Sequence, residues 1–405
     1  MPCVDPYDEL SYRSLPIEWT APERLGLTSL LHGGPRVQFE SYRVLELGCG
    51  DGANLLPMAY YRPQAHFVGV DAAASAIAIA RARSAELGLA NLEFIQADFT
   101  AARELLSGHF NFIIAHGVFS WIPNPVRDHL LSLCAHYLAS EGLLYLNYNS
   151  QPGWKIRGLV RRFLLTQTAH VVPLRDRAEL ARDLAVKVST ALAQAPEHPY
   201  ARLLEREFRF AAEGDPSYIA HEFLAADNHA YWRSEFLALV TAHNLSYVAD
   251  ADFNYASGRV SADLRARIAS ELGEGDIEDT FDLLSYRQLH SPILTTAGWR
   301  GRPADGEDLG RLVVASRLKP AGTNPSGSRI FHDPDGVVVE AKEEPIAAAL
   351  TKLAPLWPRG IRMAALHRDD RFAEDLTLLH RHGLVELRLV EPSDVVIKGS
   401  KIGQN

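Results

Sequence analysis

A β-rich run, Arg43-Val44-Leu45-Glu46-Leu47, passes directly into Gly48-Cys49-Gly50-Asp51-Gly52 and then into a helical stretch beginning near Asn54. Glycine at every second position lets the backbone turn tightly and lets a ligand come close, and the following helix offers unpaired N–H groups to a polar group. A strand, turn and helix of this kind belongs to an α/β architecture, with the turn at the carboxyl end of the strand. The spacing is G-x-G-x-G, whereas G-x-G-x-x-G marks a dinucleotide site. Glu46, just inside the strand, would also repel a pyrophosphate. A ligand carrying an α-ammonium group suits the turn better.

From about residue 43 to 149 short β-rich runs alternate with helical periodicity, the pattern of βαβ units and a parallel sheet. The strands expected are Arg43–Leu47, His66–Val70, Leu92–Ile95, Phe110–Ala115 and Gly142–Tyr148, with a helix over Ser75–Leu87 stopped by Gly88. Asp71 and Ala72 follow the second strand, where a carboxylate can accept from both hydroxyls of a ribose. Asp98 and Phe99 follow the third, where an Asp can accept from an adenine amino group while the ring of Phe99 covers the base. His116 and Gly117 end the fourth strand at the same edge. Taken singly, Asp71 has a lesser reading as a helix N-cap and Asp98 as a turn residue, while His116 reads equally as a strand-end histidine with its own partner.

After Trp154 the texture becomes helical, over Leu159–His170, Ala178–Gln194 and Tyr200–Ala212, with breaks at Pro173, Pro196, Pro199 and Gly214-Asp215-Pro216. A further helix, Trp232–His243, leads through Asn244 into β-like Leu245–Ala249, and Ser291–Thr296 forms a second such run. Lys319–Gly327 reads as a Pro/Gly-rich linker. Beyond it, a hairpin signal at Asp335-Gly336, helices over Ile346–Leu353, Ile361–Leu366 and Phe372–His382, and the alternating run Leu384–Leu389 suggest a small winged-helix-like module.

The net charge of −9 argues against nucleic acid as the main partner, since phosphate binding needs a basic face. Cys3, Cys49 and Cys134 are far apart and form no metal-binding pair, so no metal site is expected. No apolar run approaches the ~20 residues of a membrane span, and the first residues lack a signal-peptide pattern, so a cytoplasmic protein without membrane contact is expected. No tyrosine is followed four residues later by lysine, which removes the short-chain dehydrogenase pair.

Val44–Gly50 with Asp71, Asp98 and the later strands resembles the class I S-adenosylmethionine-dependent methyltransferases. More narrowly, Asn54–Tyr60, His116–Pro123 and Asn147–Trp154 resemble bacterial methyltransferases bearing a methyltransferase regulatory domain, a group that includes rickettsial protein lysine methyltransferases acting on outer-membrane proteins. Pro6–Glu9, Tyr218–Glu222 and Tyr286–Gln288 extend the likeness along the chain. Asn244 stands where the family often has Gly, and both tolerate a left-handed φ.

The resemblance implies a Rossmann-like α/β fold with a seven-stranded sheet closed by an antiparallel pair over 245–249 and 291–296. It implies a methyltransferase domain over 41–300 with a helical insertion at about 155–230, an N-terminal arm over 1–40 and the winged-helix-like domain over 301–405. S-adenosyl-L-methionine would be held by Glu46, Gly48, Cys49, Gly50, Asn54, Asp71, Ala72, Asp98, Phe99, His116 and Gly117, leaving S-adenosyl-L-homocysteine as product. A homodimer is compatible with it.

The candidates for lining an acceptor pocket are His116, Trp121, Tyr148 and Asn149 at the sheet edge, with Tyr12, His221 and Glu222 from the arm and the insertion. Trp121 and Tyr148 read equally as packing aromatics, and His221 as a buried structural histidine. The acceptor favoured by resemblance is a protein or peptide, on lysine. A small-molecule acceptor, or a cofactor-sensing regulator that binds DNA through the C-terminal module, are the alternatives. The last fares worst, because basic and acidic residues nearly balance between Glu340 and Glu391 and Phe372–His382 carries no basic stripe.

Overall fold

In a computed structural model, residues 9–10, 12, 14–194, 198–251, 260–273 and 277–391 are described. The Pro6–Asp8 part of the N-terminal motif and the break at Pro196 lie outside them. The chain divides into two compact units, one of residues 1–18, 37–250 and 257–299, the other of 19–36, 251–256 and 300–405.

The first unit is built on a seven-stranded sheet in the order β3-β2-β1-β4-β5-β10-β8. Its strands are β1 (Arg43–Leu47), β2 (His66–Asp71), β3 (Leu92–Gln96), β4 (Phe110–Ala115), β5 (Leu138–Leu146), β8 (Leu245–Asp250) and β10 (Pro292–Thr296). β1 to β5 are parallel, while β10 runs antiparallel to both β5 and β8, as the resemblance implied. The strand order reverses beside β1, which makes the ends of β1 and β4 the place where such sheets bind ligands. Leu45, Leu47, Val70, Phe110, Ile113, Leu144 and Leu146 of the strands are almost wholly buried, in keeping with the apolar richness of these runs.

Local signals are met where the chain chemistry requires them. Gly88 closes the helix Ala74–Glu86 with φ +65°, and Asn244 takes φ +57° at the turn into β8. The Asp215 carboxylate accepts from Tyr218 N–H at 2.9 Å and caps Pro216–Phe223.

The fifth strand departs from expectation. It begins at Leu138 and stops at Leu146, and Tyr148 does not belong to it. Asn147 turns the chain away, its side-chain oxygen taking the N–H of Gly117 at 2.6 Å. Tyr148–Ser150 then forms β6, the middle of a separate three-stranded sheet with β7 (Ala230–Tyr231) and β9 (Leu289–His290).

Between β6 and β7 stand the helices Gly153–Gln167, Leu174–Ala193, Pro199–Glu213 and Pro216–Phe223. They share a core of Val160, Leu164, Ala178, Ala181, Phe208 and Ile219, with Leu10 of the N-terminal segment packed in. Two further helices, Ala262–Leu272 and Ile277–Ser285, were not anticipated.

In the second unit the helix Pro22–Leu31 contributes Leu27 and Leu30 to a core with Leu312, Val314, Phe331, Leu350 and Leu376. The stretch read as a linker is a strand: β12 (Lys319–Thr323) pairs with β13 (Arg329–His332), which pairs with β14 (Val338–Ala341). Pro320 fits because β12 is an edge strand, and Gly322, at φ +124°, sits where the register shifts. The helix expected over Ile361–Leu366 is split into β15 (Ile361–Arg362) and a single helical turn, Met363–Leu366, because Arg362 pairs with Val313 of β11 (Val313–Ala315). The order helix, short helix, helix and strand does follow from Glu344 onward, ending in β16 (Glu386–Arg388).

Candidate active site

The glycine turn folds over the end of β2: Gly48 and Cys49 donate to the carbonyl of Val70 at 2.8 and 3.1 Å. Gly48, Gly50 and Gly52 all have positive φ, at 79°, 53° and 77°. A Cβ on Gly48 would lie 2.4 Å from Val118 Cγ2, and one on Gly50 would lie 2.9 Å from Ser14 Oγ. Both conformation and space therefore require glycine here.

Asp71 does not cap the next helix. Its carboxylate accepts from Gly50 N–H at 2.8 Å and from Ala73 N–H at 2.9 Å, tying the glycine turn to the end of β2. Asp98 does cap a helix: one oxygen accepts from Thr100 and Ala101 N–H, both at 2.8 Å, and the carboxylate is exposed. Ala72 and Gly117 are also exposed, and Phe99 is half-buried. The sheet thus brings the ends of β1 to β4 to one edge.

Beneath the turn, Glu46 is buried. Asn54 donates to its Oε1 at 2.7 Å and in turn accepts from Ile17 N–H at 2.8 Å. Among the described residues Glu46 Oε2 has no hydrogen-bond partner. Burial, reinforced by the Asp71 charge against the opposing Asn54 hydrogen bond, pushes the carboxyl up to about 8. A buried acid with an unused oxygen below a glycine turn fits a ligand that brings a positive charge.

His116 lies at the end of β4 with Nδ1 3.0 Å from Tyr145 Oη, and burial holds its pKa down at about 4, so the imidazole is neutral near pH 7. Next to it is a small cavity. Gly117, Val118, Ser120 and Trp121 line it from the turn after β4, Asn147, Tyr148 and Asn149 from the chain after β5, and Leu289 from β9. Ser120 Oγ accepts from Asn149 N–H at 2.8 Å, which joins the two segments. Asn149 is 4 % exposed, and among the described residues its Nδ2 has no partner. Trp121 meets Trp154 edge-on at 5.5 Å.

Tyr148 is 2 % exposed, stacked on Phe236 at 4.0 Å and on His290 at 5.2 Å. Burial, then the charges of Asp250 and Asp282, hold its phenol neutral. His290 is gripped from both sides, by Asp250 at 3.0 Å and Asp282 at 2.7 Å. Burial opposes its charge, but the two carboxylates outweigh that and raise its pKa. Burial likewise opposes the Asp250 charge, and His290, with Arg287, outweighs it and holds the carboxyl at about 2.

His221 and its neighbours gather elsewhere. His221 Nε2 is 2.6 Å from the Leu10 carbonyl, and its ring meets Tyr12 edge-on at 5.7 Å. Glu222 is pushed up to about 7, chiefly by burial, and Tyr12 to about 12 by burial and the Glu222 charge. These three tie the N-terminal segment to the helical insertion, and none lines the cavity. Sequence reasoning missed Ser120, Asn147 and Leu289 in the cavity and the His290 network beneath Tyr148. Asn147 was legible as the residue closing β5; the His290 pairing was not, because Asp250 is 40 residues away in sequence.

Residues 38–158 match the family described as a methyltransferase domain, and residues 215–289 the family described as a predicted methyltransferase regulatory domain. Residues 38–158 thus form a methyltransferase domain with the Rossmann-like class I fold. The strand-end acids, the glycine turn and buried Glu46 fit S-adenosyl-L-methionine as a ligand of such a domain. The chain is 36 % identical over 321 residues to uncharacterized protein RP789 of Rickettsia prowazekii, an alignment covering 78 % of this chain and 57 % of that one. It thus spans little more than half of that relative's length. Uncharacterized protein RP028 of the same organism is 26 % identical over 57 % of this chain and 92 % of its own. The structure of PKMT2 from Rickettsia typhi in complex with AdoHcy superposes with a TM-score of 0.77 at 21 % identity, covering 94 % of this chain and 78 % of that one. The methyltransferase domain and its surrounding elements therefore share one fold with that protein. Among the described residues, no helix is long and apolar enough to cross a membrane.

Proposed function

We propose that the chain is an S-adenosyl-L-methionine-dependent methyltransferase acting on a protein or peptide, at a lysine side-chain amine. The observation that carries this reading is the cavity beside Gly117. It is a small cavity, far from the size that would enclose a whole drug-sized molecule. It suits one side chain reaching in from a larger acceptor. None of its lining residues is charged, so no cation waits there for a carboxylate acceptor, while the ring of Trp121 and the amides of Asn147 and Asn149 suit an amine.

When bound, the cofactor supplies an electrophilic methyl group on a sulfonium. Glu46, ionised on meeting a positive charge, holds the cofactor's ammonium end, with Asn54 fixing the carboxylate. Asp71 and Asp98 serve the hydroxyls and base of the nucleoside. Neither His116, with its pKa near 4, nor the neutral Tyr148 phenol is a strong base, so the cavity works by burying the amine, which favours its uncharged form, and by alignment. Asn149 Nδ2, or its amide oxygen after a half-turn of the side chain, orients the entering group.

The test is transfer of labelled methyl from the cofactor by the full chain into a library of lysine-containing peptides, followed by acid hydrolysis and identification of the labelled residue. Methyl-lysine is expected. Label confined to small molecules, or found only on carboxyl groups, would refute the reading. Asn149→Ala should lower kcat at least tenfold, and Tyr148→Phe should have the smaller effect, since its phenol stays protonated.

A further inference from the structure

Arg127, in the helix Asn124–Tyr137 that follows the cavity turn, is 5 % exposed. A buried guanidinium is normally paired, because an uncompensated charge out of water is costly. Among the described residues, Arg127 Nε and Nη1 have no hydrogen-bond partner at all. Nη2 is taken by the neutral side-chain oxygen of Asn124, itself exposed. That nitrogen is common to the side-on and end-on edges through which arginine grips a carboxylate in two parallel hydrogen bonds. Asn124 therefore stands where an anion would bind.

The surroundings match. The guanidinium lies 5.7 Å over the ring of Tyr231, which flanks Tyr148 and Phe119 at 6.2 and 5.6 Å. His229 donates its backbone N–H to the carbonyl of Ser120, a cavity-lining residue, at 2.8 Å. Besides burial, the positive charges of Arg127 and Lys155 both act on the His229 ring. One residue earlier, Asn228 has a buried Nδ2 that also lacks a partner among the described residues. Asp128 and Glu235 are near enough to act on Tyr231, yet neither bonds the idle nitrogens of Arg127.

We propose that Arg127 anchors a carboxylate of the acceptor polypeptide, an aspartate or glutamate side chain a few residues from the methylated lysine, bound as Asn124 swings off Nη2. The proposal rests on the polypeptide reading of the acceptor. It gives the protein a sequence preference that the uncharged cavity cannot supply.

The probe is N-acetylglutamate amide, titrated calorimetrically into the full chain with inorganic phosphate as a second ligand. Saturable carboxylate binding is expected, weakened at least tenfold in Arg127→Gln and strengthened in Asn124→Ala, a gain that misfolding cannot produce. No binding to the wild type, equal binding to Arg127→Gln, or tighter binding of phosphate overturns the proposal. In the lysine peptide library the wild type should favour Asp or Glu at one flanking position about tenfold, and Arg127→Gln should methylate without that bias. Methylation with no acidic preference, or the same preference in both proteins, overturns the anchor and leaves the lysine reading intact. Carboxylate binding at Arg127 with no peptide methylated overturns the polypeptide source of the carboxylate together with the lysine reading.

Discussion

Glu46→Gln gives the sharpest test of the cofactor site, because one buried proton links the stability of the chain to ligand binding. The carboxyl is pushed up to about 8 from an ordinary 4.5, first by burial. Between those pH values the folded chain holds a proton that the unfolded chain has released. The contribution of Glu46 to stability is therefore greatest below about pH 4.5, falls as pH rises through this window, and levels off above about 8. At 1.36 kcal/mol for each pH unit, Glu46 alone makes the fold about 4–5 kcal/mol less stable at the upper end than at the lower. Gln keeps the oxygen that accepts from Asn54 and carries no titrating proton.

Urea denaturation between pH 5 and 8 should accordingly give two stability curves that diverge by roughly 1.4 kcal/mol per pH unit, with Glu46→Gln the flatter. Binding of S-adenosyl-L-homocysteine at pH 7 should release roughly 0.9 proton from the wild type, the fraction protonated for a group titrating near 8, as read from calorimetry in buffers of different ionisation enthalpy. The variant should release none from this position and bind at least tenfold more weakly. Parallel stability curves together with equal proton release in the two proteins would show that Glu46 is ionised before the cofactor arrives, and the argument from its burial would fail.

Two further outcomes follow from the same geometry. Gly48→Ala places a methyl group 2.4 Å from Val118 Cγ2 at φ +79° and should abolish S-adenosyl-L-homocysteine binding while far-UV circular dichroism is unchanged; retained affinity would mean the turn can move. Asp250→Asn breaks a buried charge network and should cost about 3–5 kcal/mol near neutral pH. With the Asp250 carboxyl held at about 2, its contribution is present above pH 4 and is lost as pH falls towards 2, whereas that of His290, raised above 6.5, is full below that pH and is lost above it. A stability difference that did not narrow on acidification would contradict the pairing.

The sequence by itself determined the sheet, the glycine turn and the acids at successive strand ends. Those features are local: apolar runs in strand geometry, glycines that adopt positive φ without strain, and carboxylates fixed by where a strand stops. It set Asp71 and Asp98 at strand ends, but not that Asp71 braces the glycine turn and Asp98 caps a helix, since backbone partners are chosen only when the chain is folded. What the tertiary structure decided is the other half of the site. Tyr148 reads as the end of β5 until Asn147 turns away to take the Gly117 N–H, and His221 reads as a catalytic candidate until its ring settles on the Leu10 carbonyl. The gripping of His290 by Asp250 and Asp282, and the burial of Arg127 with Nε and Nη1 unpartnered among the described residues, arise from contacts between segments far apart along the chain or from the removal of water. Periodicity and spacing carry no record of either.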